Sequence, residues 1–186
     1  ISNWNTNSLF IENSTFDANS ALEGNGGAIS MTGDENSSHY CEIKNTTFSN
    51  NLAKHGGAIN GSKYTLEVVS SNIVDNVVTE KHGAGINYFE GNGLIITDSN
   101  ISRNTGAELG SGLTIVNTSK PVTLNNVEFA ENKAGGGGAI YGWYTNEIWM
   151  KNVTFKNNTA NQHDGGAILI NGSGEDKVYI DSTTFI

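Results

Sequence analysis
Very little in this chain invites a helix, a disulfide framework or a basic binding surface. Its 186 residues include one proline and one cysteine, and Lys and Arg together number 10 against 19 Asp and Glu, for a formal charge of −9. A lone Cys41 has no partner for an intramolecular disulfide, and it stands where other copies of a repeat carry Leu, Val or Ile, which marks it as a small buried hydrophobe. The acidic balance argues against nucleic acid and anionic membrane surfaces, both of which recruit basic patches. No apolar run approaches the roughly 18 residues of a membrane-spanning helix, no signal peptide is visible, and no window carries a 3.6-residue apolar stripe of helical length. The chain starts at Ile1 without Met and stops inside a repeat at Ile186. It therefore reads as a piece of something longer.

What the chain has instead is glycine, 23 residues of it, and one sentence written six times with a seventh copy begun. The copies align on Phe16, Phe48, Ile73, Ile101, Phe129, Phe155 and Phe185. Seven residues earlier stand Leu9, Cys41, Leu66, Leu94, Val122, Ile148 and Val178; five earlier stand Ile11, Ile43, Val68, Ile96, Leu124, Met150 and Ile180. Three earlier the column is Asn13, Asn45, Ser70, Asp98, Asn126, Asn152 and Ser182, and three later it is Asn19, Asn51, Asn76, Asn104, Asn132 and Asn158. A glycine motif then ends on Ile29, Ile59, Ile86, Leu113, Ile140 or Ile168, at spacings of 30, 27, 27, 27 and 28.

A fixed period of this length means a repeat architecture. Each copy holds three short apolar pieces that alternate with period two, which is strand pattern. One copy cannot bury its own apolar residues, but stacked copies place equivalent residues about 4.8 Å apart in a continuous core. Propeller blades need a longer period, and the Leu-x-x-Leu-x-Leu frame of leucine-rich repeats is absent. The sequence thus predicts an all-β fold, a right-handed parallel β-helix of about six coils with 27–30 residues per coil, as a single segment spanning 1–186. The hand follows from the crossover rule. Both Asn columns are predicted to serve corners and ladders, where an amide donates and accepts at once.

The tandem Gly-Gly-Ala-Ile motif and the Phe-x-x-Asn tetrads Phe16-Asp17-Ala18-Asn19, Phe48-Ser49-Asn50-Asn51, Phe129-Ala130-Glu131-Asn132 and Phe155-Lys156-Asn157-Asn158 resemble the polymorphic outer-membrane protein repeat of chlamydial autotransporter adhesins. Similar repeats occur in adhesin-like surface proteins of other microbes. The resemblance covers nearly the whole chain. It implies a right-handed β-helix at a cell surface, used for adhesion.

Chemistry is sparse. Polysaccharide lyases and hydrolases built on β-helices need clustered carboxylates with a base on one face, whereas acidic residues here rarely share a column and basic residues are scattered. No catalytic residue, cofactor or metal set is assigned. His55 and His82 occupy one column on adjacent coils and are predicted to lie about 5 Å apart, yet two ligands are too few for a structural metal site. Loops that break the period carry Tyr88, Phe89, Tyr141, Trp143 and Tyr144, either as contacts for a protein or glycan ligand or as covers over the strand edges beneath. Of nine Asn-x-Ser/Thr sequons, Asn36, Asn60, Asn117 and Asn171 sit in or beside loops and are the candidates for glycosylation; Asn13, Asn45 and Asn152 belong to a ladder column and are predicted to face inward. Strand edges at residues 1–8 and 178–186 are predicted to be covered by further coils or by neighbouring copies stacked end to end. The expected function is a non-enzymatic extracellular or cell-surface adhesin or rigid stalk. A structural subunit of an extracellular filament and a carbohydrate-active enzyme are the alternatives.

Overall fold
A computed structural model describes residues 1–34, 38–172 and 174–186. Its strands wind into a stack of parallel sheets. The glycine motif leads into the first of them, the glycine sheet, whose seven strands are Ser2–Trp4, Ile29–Thr32, Ile59–Ser62, Ile86–Phe89, Leu113–Val116, Ile140–Trp143 and Ile168–Asn171. Seven strands separated by six steps make about six turns. Residues 2–4 form its first strand, in register with Ser30–Thr32.

A second, long sheet carries both other parts of the repeat. Its anchor strands include Tyr64–Val69 and Glu147–Lys151, and its Phe strands include Thr47–Ser49 and Thr154–Lys156. In the middle coils the two parts fuse into the nine-residue strands Leu94–Ser102 and Val122–Ala130. A third, short sheet joins Ser20–Asn25, Leu52–His55 and Val77–Val78, and isolated parallel bridges at Thr105 carry it on to Lys133–Ala134 and Thr159–Ala160.

The pairing register is the sequence alignment. Ile29, Ile59, Ile86, Leu113, Ile140 and Ile168 pair in succession. All but Ile168, which lies in the last complete coil, are fully buried. Phe48, Ile73, Ile101, Phe129 and Phe155 form a second buried column, with rings stacked near parallel at 4.9 Å for Phe16–Phe48 and 5.3 Å for Phe129–Phe155. Cys41 is fully buried, and burial pushes its thiol pKa up to about 12; it is packing, not reactivity.

Corners are made by residues in the left-handed region. The column three before the Phe anchor, Asn13, Asn45, Ser70, Asp98, Asn126, Asn152 and Ser182, lies at φ between 47° and 56°. Asn and Asp tolerate this region best among non-glycine residues. Asn13, Asn45 and Asn152 therefore turn the chain with side chains exposed to solvent, which corrects their inward placement. The first glycine of the motif turns another corner, and there no side chain fits: at Gly83 (φ 56°) a Cβ would lie 2.3 Å from the Ile86 carbonyl oxygen.

Asn51, Asn76, Asn104 and Asn132 are fully buried and form the ladder. The Oδ1 of Asn104 accepts from both the backbone N–H and the side-chain amide of Asn76, each at 3.0 Å. Its own amide donates to the Ile73 carbonyl and to Asn132 Oδ1. The pattern repeats from Asn19 to Asn158. A shorter hydroxyl ladder runs beside it: the backbone N–H groups of Ser14, Thr46 and Ser71 donate to the hydroxyls of Thr46, Ser71 and Ser99. It ends where Val127 and Val153 replace the hydroxyl residue with an apolar one, and both are buried.

Candidate functional site
The loop aromatics divide according to strand parity. Ile86 points inward, so Tyr88, two residues on, must do the same. It is fully buried, fills space beside Gly61, and its hydroxyl lies 2.6 Å from the carbonyl oxygens of both Tyr64 and Gly93. Burial raises its pKa. Tyr88 is therefore a core residue and not a partner contact. Tyr141 is also buried, its ring near parallel to that of His82 at 6.5 Å on the outer side of the glycine sheet. The period break after these residues suggested loops, but both belong to strands, Ile86–Phe89 and Ile140–Trp143. Phe89, Trp143 and Tyr144 are exposed, and the last two stack at 5.5 Å to make an aromatic ledge at the end of the glycine sheet.

A second aromatic surface, on the outer face of the long sheet, was not singled out in the sequence. Outward positions there pair in one row: Phe10, Glu42, Glu67, Ile95, Thr123, Trp149 and Tyr179. Phe10, Ile95, Trp149 and Tyr179 are exposed. Trp149 and Tyr179 stack at 3.8 Å with their planes 12° apart. The indole Nε1 of Trp149 donates to Glu147 Oε2 at 3.1 Å, and Lys177 Nζ lies 3.5 Å from the other oxygen of that carboxylate. The outward half of the period-two pattern could have revealed this row, because apolar rings there break the rule of polar residues outside.

The same row brings two carboxylates together, which scattered sequence positions concealed. Glu42 and Glu67 are register partners on adjacent coils. Tyr40 Oη donates to Glu67 at 2.7 Å and lies 3.3 Å from Glu42, while Lys44 Nζ sits 2.7 Å from Glu42. Burial and the neighbouring carboxylates raise the Tyr40 pKa. Each carboxylate is thus held as an acceptor in a surface network.

His55 and His82 do meet, with ring centroids 5.6 Å apart and planes 24° apart. Among the described residues no group of three or more His, Cys, Asp or Glu side chains is placed to hold a metal ion. The Nδ1 of each ring is buried without a hydrogen-bond partner among those residues. Burial lowers the pKa of both, and proximity to His55 lowers that of His82 further.

Of the sequon candidates, Asn36 lies outside the described residues. Asn60 is buried, and its Oδ1 accepts from the Asn87 amide at 2.8 Å, so it is not open to modification as folded. Asn117, at a corner with φ 54°, and Asn171, at a strand end, are exposed. Among the described residues no helix is long and apolar enough to cross a membrane.

No curated protein and no solved structure matches the chain. The family described as right handed beta helix region matches residues 1–185, almost the entire sequence. With its register-matched parallel coils and that match, the chain belongs to the right-handed β-helix family.

Proposed function
We propose that this protein is a non-enzymatic extracellular or cell-surface β-helix that acts as an adhesin or rigid stalk, holding its ligand on an outer face. One observation carries the reading. A stack whose interior is satisfied by apolar columns and an Asn ladder leaves large aromatic rings, Phe10, Trp149 and Tyr179, in outward positions of a sheet, where solubility alone would favour polar residues. The Trp143–Tyr144 ledge adds a second contact zone. Aromatic rings offer large contact area at low entropic cost. The ligand is a protein or glycan surface. With a formal charge of −9, nucleic acid is not a partner. The resemblance of the Phe-x-x-Asn and glycine motifs to polymorphic outer-membrane protein repeats supports the adhesin role, and Asn117 and Asn171 are the positions a glycan would occupy.

A carbohydrate-active enzyme is the second reading, and the specific observation favouring it is the Glu42–Glu67 register pair. The experiment presents bead-immobilised protein to cells and glycan-coated surfaces, and in parallel incubates soluble protein with polysaccharides while new reducing ends are counted. Retention without cleavage is the expected result. Cleavage that disappears in Glu42→Gln or Glu67→Gln would replace the adhesin reading with the enzymatic one.

A further inference from the structure
We propose that the outer face of the long sheet above Thr123 is a binding subsite for an uncharged pyranose glycan, stacked on the free face of Trp149. The indole has two faces. One is covered by Tyr179 from the adjacent coil, at 3.8 Å. Because these two residues are register partners, the stacking direction runs along the coil axis, and the other face of Trp149 looks over Thr123. Thr123 is small, and the next large side chain in that direction is Ile95, one coil further. Two strand spacings, about 9.6 Å, therefore separate the strands of Ile95 and Trp149, with only a threonine between them. A slot of this depth admits one sugar ring lying flat on the indole.

The surroundings match that chemistry. Beside that slot an open hollow of about 870 Å³ runs from Pro121 and Thr123 past Trp149 to Tyr179, with Asn125 and Lys151 as polar and Val178 and Ile180 as apolar parts of its wall, a size within the usual range of small-ligand clefts. Its ring surface is apolar, as the C–H face of a pyranose requires, and its hydroxyl, amide and ammonium groups stand at the edge where sugar hydroxyls would reach them. The indole N–H is already given to Glu147, so the ring is fixed in orientation and offers its face, not its edge. Preorganisation of this kind reduces the ordering cost of binding.

Charge selects among occupants. Lys151 and Lys177 balance Glu147 and Asp181 beside the slot, while the whole chain carries −9. That balance suits an uncharged ligand and disfavours polyanions at long range. The hollow is open at its sides, so an extended chain could pass through.

The test is isothermal titration calorimetry of the protein with cellohexaose, xylohexaose and mannohexaose. Sodium polygalacturonate and an amphipathic peptide serve as the other arms. We expect saturable binding of at least one neutral hexaose. Trp149→Ala should weaken it tenfold or more and Trp149→Phe by no more than about threefold. Thr123→Tyr, which fills the slot from an outward position and leaves Trp149 in place, should abolish it, and Leu22→Ser on the short sheet should not alter it. Thermal midpoints of the variants separate lost binding from lost folding. No saturable binding of any neutral hexaose, equal binding by Trp149→Ala, or saturation only by polygalacturonate or the peptide would overturn the subsite. The inference rests on the display reading above, and the two fail separately. Cleavage of a bound hexaose would end the display reading and leave the subsite standing, whereas absence of binding would end the subsite and leave a stalk.

Discussion

At the scale of single residues, the two Asn columns look alike in the sequence and do different work. Asn126 holds a left-handed corner in solvent, whereas Asn104 is fully buried and bonds both neighbouring coils. Composition could not separate them, since both positions demand a short polar side chain; only the chain direction after each corner decides which faces inward. Replacement should separate them. Asn104→Ala takes the acceptor from the Asn76 backbone N–H and the amide donor from the Ile73 carbonyl, and unpaired buried groups cost about 1–3 kcal/mol each, so we expect a loss of about 2–4 kcal/mol in urea denaturation. Asn126→Gly, which fits φ 56° without strain, should change stability by less than about 1 kcal/mol.

The stacked histidines give the protein a pH response. Burial depresses the pKa of His55 and His82 below the ordinary 6.5. The unfolded chain then binds protons more readily than the folded one, so their contribution is complete above about pH 6.5 and is lost as pH falls below that value. Asn25 and Leu109 fill the same column on the flanking coils, which makes His55→Asn with His82→Leu a tolerable pair. Thermal midpoints measured between pH 7.5 and 5 should fall more steeply for the parent than for this double variant. Parallel curves would show that the pair is not the titrating element.

At the scale of the element, what was legible was periodicity. Strand type, register and the Ile and Phe columns follow from alternation and spacing, because a stack of copies admits only one way to bury them. The aromatics were less legible. Tyr88 shares its column with Met31, Gly61, Ile115, Gly142 and Ile170, which holds no other tyrosine, and a tyrosine beside a gap in the period resembles a loop residue until strand parity is applied. Trp149 and Tyr179 are hard to read for the opposite reason, since rings embedded in a regular strand resemble core. Packing energetics should follow the columns. Phe129 is fully buried and stacked on Phe155, with coils on both sides. Phe129→Ala should therefore cost about 3–5 kcal/mol, read as a shift in denaturation midpoint at unchanged slope. An unchanged midpoint would remove that column from the core.

At the scale of the whole molecule, each coil touches its neighbours and little else, so stability is close to a sum of coil and interface contributions. The Asn ladder changes that picture, because each rung is bonded to the next and transmits order along the axis. Function was the least legible part, because a surface that binds without chemistry leaves no motif, only rings where polar residues belong. One rigid stack with an interior side-chain spine should open only as a whole, and native-state hydrogen exchange by NMR measures this directly. The side-chain amides of Asn76, Asn104 and Asn132 and the backbone amides of the strands from Ile59 to Trp143 should exchange only through global unfolding, with one common free energy. Fast exchange of those Asn side chains, or a central coil that opens independently of its neighbours, would contradict it.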